Sequence, residues 1–86
     1  MVPKGEYTWD EEGVKAFGKK LKEVRTSKGL SQEKLAIECG FANSQISRIE
    51  TGAISTSLSH ICILARELNV DLKDLMDFKL TKKKKS

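Results

Sequence analysis

Proline is almost missing from this chain, the only one being Pro3. No helix beyond it is interrupted by a residue that removes an amide donor and clashes with the preceding turn. Cysteine is equally sparse. Cys39 and Cys62 are too few and too isolated for a disulfide framework, and they read as reduced small hydrophobes in a cytoplasmic setting. His60 is the sole histidine. It has no companions with which to hold zinc, so it reads as a structural or surface residue, and neither a metal site nor a cofactor is expected. No apolar run is long enough to cross a bilayer. The opening MVPKGEYTWD lacks the apolar core of a signal peptide. With no metal cluster, nucleophile motif or phosphate-binding glycine loop, the chain does not read as an enzyme. Lys82 to Lys85 form a charge run without a lipid-anchor motif or an amphipathic basic helix, so no membrane partner is expected.

What is present suits one small helical domain. There are 86 residues, 38% of them apolar. The formal net charge of +4 comes from the end of the chain, where Lys79 and Lys82 to Lys85 lie. Residues 1–78 hold 11 basic and 12 acidic side chains, a net of −1. Within them, residues 15–48 carry a net of +5 and residues 67–77 a net of −3. A basic half fits contact with phosphate, and an acidic end should stay away from it. Any single lysine of the first helix reads equally well as part of a solvated face.

Residues 1–7 read as a tail, 8–78 as the folded domain and 79–86 as a lysine-rich tail that cannot pack. The first helix starts at either of two caps. Thr8 with Glu11 makes a capping box, whereas Asp10 sets Trp9 and Val14 as a hydrophobic staple. Val14, Phe17, Leu21 and Val24 recur at helical spacing to about Lys28, and Gly29 ends the helix, with Leu30 entering the core. Ser31 caps a second helix that stops at Gly40. A third runs from about Ala42 to Thr51 and stops at Gly52. Ser55 or Thr56 caps a fourth, with Leu58, Ile61, Leu64, Ala65 and Leu68 as its buried stripe and Asn69 as its left-handed terminator. Asp71 caps a short fifth helix bearing Leu72, Leu75, Met76 and Phe78. There is no strand signal, so the fold class is all-α.

The segment Ser31–Gly52, SQEKLAIECGFANSQISRIETG, concentrates the functional signal. It reads as two short helices joined by a glycine-containing turn, the helix-turn-helix arrangement. Ala36 is small where two crossing helices touch. Ile46 and Ile49, three apart, anchor the second helix by one face. Asn43, Ser44, Ser47 and Arg48 are left on the rest of its circumference. An ordinary helical hairpin is the bland alternative. The polar face favours reading of double-stranded DNA.

LKEVRTSKGLSQEKLA, SQISRIETG and LSHICILARELNVDLKDLM together resemble the Cro/CI-type, Xre-like or lambda-repressor-like helix-turn-helix family over residues 12–78. The resemblance implies a compact five-helix domain that binds an operator as a symmetric dimer and regulates transcription. It implies base reading by Asn43, Ser44 and Arg48. Arg can grip guanine and Asn adenine in a bidentate manner. Local capping competes with base contact for Asn43, because Ala42 is a poor cap. A phosphate contact or surface ion pair competes for Arg48. Gln32, Gln45, Ser47, Thr56 and Ser57 are the implied DNA-backbone contacts, with Gln45 also able to serve a flanking base. Arg25 and Glu50 match the family's structural ion pair. Glu50 has its own reason to need a partner, since a helix C-terminus disfavours an acid. Leu72, Leu75, Met76 and Phe78 are the implied dimer interface. The basic residues common in the family just after Gly52 are replaced by Ala53 and Ile54, which weakens the expected phosphate grip. The expected function is a small dimeric repressor, with a restriction-modification controller as a variant. An antitoxin-type module that neutralises a partner protein, with or without DNA binding, is the alternative from another class.

Overall fold

The computed structural model describes residues 9–83. Five helices occur among them: α1 (Glu11–Ser27), α2 (Gln32–Cys39), α3 (Asn43–Thr51), α4 (Leu58–Leu68) and α5 (Leu72–Leu75). No strand occurs among the described residues. Thr8, the alternative cap, lies outside them, as do residues 1–7 of the amino-terminal tail and 84–86 of the lysine tail. Asp10 is the N-cap of α1, its carboxylate accepting from Gly13 N–H at 2.9 Å.

The helix ends follow from local chemistry. Ser31 Oγ accepts from Lys34 N–H at 3.0 Å and starts α2. Gly40 and Gly52 close α2 and α3 in the left-handed region, with φ of 74° and 78°. Asn69 closes α4 at φ 56°, the one positive-φ residue other than glycine among those described. Ser57 rather than Ser55 or Thr56 caps α4, by accepting from His60 N–H at 3.1 Å. That later start places Leu58 on the first turn, where it is 70% exposed instead of joining the buried stripe. Asp71 and Asp74 form a reciprocal capping box on α5.

α3 lies at the centre. It packs against α1 and α2, α4 covers α2, and α5 packs against α1 and α4. Phe17, Leu21, Leu35, Ala36, Ile46, Ile49, Leu64, Ala65, Leu68 and Leu75 form the core. Both cysteines are half-buried.

Gly18 decides how closely α1 meets α3. A Cβ there would overlap the Ile49 carbonyl oxygen and lie 2.8 Å from that of Glu50. Only a residue without a side chain lets the two backbones touch.

The segment after α5 departs from the expectation that residues from 79 onward cannot pack. Thr81 donates through its N–H and its hydroxyl to the Glu12 carboxylate at 3.1 and 2.9 Å. Leu80 lies over the start of α1 near Gly13. Leu80 and Thr81 interrupt the lysine run with an apolar side chain and a hydroxyl, and α1 offers each a partner.

Candidate nucleic-acid interface

The exposed side of α3 is the natural place to look for a reading surface. Ile46, Ile49 and Glu50 face inward and are buried. Asn43, Ser44 and Arg48 are exposed, and Ser47 is half-buried. Ser44, Ser47 and Arg48 fall at i, i+3 and i+4, so they share one stripe. Thr51 continues that stripe, but its hydroxyl is spent on Arg48 C=O at 3.3 Å. Arg48 makes no ion pair among the described residues, so its guanidinium is available. Ala42 occupies the N-cap of α3 and provides no side-chain acceptor. Asn43 therefore does not cap the helix. Gln45 N–H donates to Ala42 C=O at 3.0 Å, which leaves the Asn43 and Ser44 amides, at the positive end of the helix dipole, for an external anion.

Behind this surface, Arg25 and Glu50 meet in the interior. Arg25 Nε–H and Nη2–H donate to Glu50 Oε2 and Oε1 at 2.6 and 2.9 Å. Arg25 Nη1–H donates to Leu30 C=O at 2.7 Å. Gln32 Nε2–H donates to Glu50 Oε1 at 3.0 Å. The start of α2, the end of α3 and the α1–α2 turn are thus tied to one buried guanidinium–carboxylate pair. A bidentate fork fixes direction as well as distance. It holds the axis of α3 while the opposite face stays free.

The expected backbone contacts divide. Gln32 gives one amide hydrogen to Glu50, which leaves its other hydrogen for phosphate. Gln45 is tied to α4, its Nε2 lying 3.0 Å from His60 Nδ1. Ser57 Oγ accepts from the α4 backbone and keeps its own proton to donate. Thr56 is a correction. Its Oγ1 is buried without a hydrogen-bond partner and the residue lines an apolar cleft with Phe17, Ile61 and Met76, so it does not present a hydroxyl to phosphate. Leu75 is a second correction. It is wholly buried in the protomer's own core, so it cannot form a dimer surface. Phe78 is half-buried against that core, whereas Leu72 and Met76 are 41% and 44% exposed.

Two further residues contact α3, Gly18 through the close backbone approach and His60 through Gln45. Gly18 had a signal, a glycine inside an otherwise helical run. His60 had none, because its partners Phe41 and Gln45 come from other elements.

Charge is distributed to match. Lys19, Lys22 and Lys28 on and beside α1 are exposed and make no ion pair among the described residues. Lys34 pairs weakly with Glu38 at 3.7 Å. Glu67, Asp71, Asp74 and Asp77 lie on the end of α4 and around α5.

Comparison with known proteins agrees with this geometry. The Helix-turn-helix family HTH_3 matches residues 21–75. Control protein C.BamHI of Bacillus amyloliquefaciens is 46% identical over 63 residues, which is 72% of this chain and 78% of that protein. The restriction-modification controller protein C.AhdI from Aeromonas hydrophila is 40% identical, with a TM-score of 0.70 over 72% of this chain and 94% of that one. SinR, a master regulator for biofilm formation solved in complex with DNA, is 31% identical, with a TM-score of 0.67 over 71% of this chain and 98% of that one. The five-helix fold, the family match over residues 21–75 and these relatives make the chain a member of the Cro/CI-type helix-turn-helix family of DNA-binding transcriptional regulators.

Proposed function

We propose that this protein is a dimeric controller of a restriction-modification operon that represses or tunes transcription from its own promoter region. The observation that carries the reading is the exposed stripe Ser44–Ser47–Arg48 with Asn43 beside it, on a helix locked from behind by Arg25 and Glu50. In this reading α3 enters the major groove. Asn43, Ser44 and Arg48 meet base edges, and Gln32, Ser47 and Ser57 meet phosphates. The identity with C.BamHI and C.AhdI supports the controller role. Leu72 and Met76 are the exposed apolar side chains of the α5 region and are assigned to the dimer contact. Two copies then address half-sites about 34 Å apart, one turn of the duplex.

The test is fluorescence anisotropy with DNA taken upstream of the gene for this protein, against scrambled DNA, at two salt concentrations. Preference for the upstream DNA that persists at the higher salt is expected. Equal and salt-labile binding to both would show phosphate attraction alone and reject the operator reading.

A further inference from the structure

His60 joins three elements through its side chain. Its ring packs on Phe41, in the turn between α2 and α3, with centroids 4.6 Å apart and planes 52° apart. Its Nδ1 lies 3.0 Å from Nε2 of Gln45 on α3. Its backbone N–H is held by the Ser57 cap at the start of α4. Backbone and ring are thus both fixed, so Nδ1 is a fixed point beside the reading helix.

That point constrains the Gln45 amide. An amide nitrogen can only donate, so in this amide orientation Nδ1 is the acceptor, the arrangement of the Nε2–H tautomer. With one Nε2 hydrogen given to His60, Gln45 keeps one N–H and its carbonyl oxygen. A donor and an acceptor side by side are what adenine requires at N7 and N6. The opposite amide orientation would give the oxygen to a protonated Nδ1. It would leave two donors, which suit the acceptors O6 and N7 of guanine.

We propose that His60 is a positioning residue for DNA recognition, holding Gln45 with its donor–acceptor edge toward an adenine flanking the α3 contact. The proposal rests on the DNA-reading assignment of α3. It moves Gln45 from the backbone contacts to the base-reading residues.

A randomised-operator selection on the full chain tests it, comparing wild type with Gln45→Ala, His60→Leu and His60→Asn, each checked for folding by thermal melting. Asn places an acceptor oxygen near the position of Nδ1, and Leu places none. Gln45→Ala and His60→Leu are expected to lose the same adenine preference, by about fivefold or more, with the other positions kept. His60→Asn is expected to retain it. The proposal is overturned if His60→Leu selects the wild-type site, if its losses spread over every position, or if His60→Asn does no better than His60→Leu. It is also overturned if Gln45→Ala leaves every base preference intact. Wild-type protein that enriches no site would reject the DNA-reading assignment itself, and the proposal with it.

Discussion

Gly18→Ala sets two physical effects against each other. Alanine is the better helix former by about 1 kcal/mol, so helix propensity alone forecasts a more stable protein. The new methyl, however, meets backbone rather than a flexible side chain. It would overlap the Ile49 carbonyl oxygen and sit 2.8 Å from the Glu50 oxygen and 3.0 Å from the Glu50 carbonyl carbon. Neither group can rotate away, so α1 and α3 must separate. Overpacking of a tight interior costs about 1–3 kcal/mol, and a backbone clash belongs at the upper end. The separation also stretches the Arg25–Glu50 fork, whose bonds of 2.6 and 2.9 Å span the same two helices. After subtracting the propensity gain, the net loss is about 2 kcal/mol, or roughly 8–16 °C in Tm for a domain of this size. Gly13→Ala is the control in the same helix. Its Cβ would meet nothing closer than 3.5 Å, so it should be neutral or stabilising by up to about 1 kcal/mol. Urea unfolding followed by circular dichroism measures both. A Gly18→Ala protein as stable as wild type, or a Gly13→Ala protein that loses as much, would refute the close-approach argument.

Glu50→Ala should cost about 3–5 kcal/mol, because it leaves the Arg25 guanidinium buried without its counter-charge. Arg25→Lys should not rescue the pair, since one ammonium cannot reproduce the fork, and denaturant midpoints will report both. Arg48→Ala should lower operator affinity by about 1–3 kcal/mol and relax one base position while stability holds, as titration and site selection can show. Met76→Glu should shift a dimer toward monomer in sedimentation without lowering the monomer's stability, whereas Leu75→Ala should destabilise by about 2–5 kcal/mol. Burial, then the charges of Glu67 and Glu38, push the Cys39 thiol from 9.0 up to about 11. The unfolded thiol ionises first, so wild-type stability should fall between about pH 9 and 11 relative to Cys39→Ala, which pH-dependent unfolding would detect.

The chain's order of elements was legible because each boundary is a local event. Gly40, Gly52 and Asn69 end helices through their own backbone preference, and Ser31 starts one through its own hydroxyl. The inward face of α3 was equally plain, since Ile46 and Ile49 sit three residues apart. The cap of α4 is not legible locally, because Ser55, Thr56 and Ser57 are all competent caps. The choice of Ser57 is made by how the loop closes over the core, which buries Thr56 instead. Leu75 shared an apolar pattern with Leu72 and Met76, and a pattern of that length does not tell a core-facing residue from a partner-facing one.

Sequence alone determined the helical class, the helix-turn-helix and the polar face of α3, which rest on spacing of a few residues, and its motifs carried the resemblance to the family. Only the tertiary structure decided that Gly18 is a backbone contact, that Gln32 joins the Arg25–Glu50 pair and that His60 engages Gln45. Those partners lie between 15 and about 30 residues apart, and no local periodicity records such a distance. They meet only because α1 and α2 pack against α3 and α4 packs against α2.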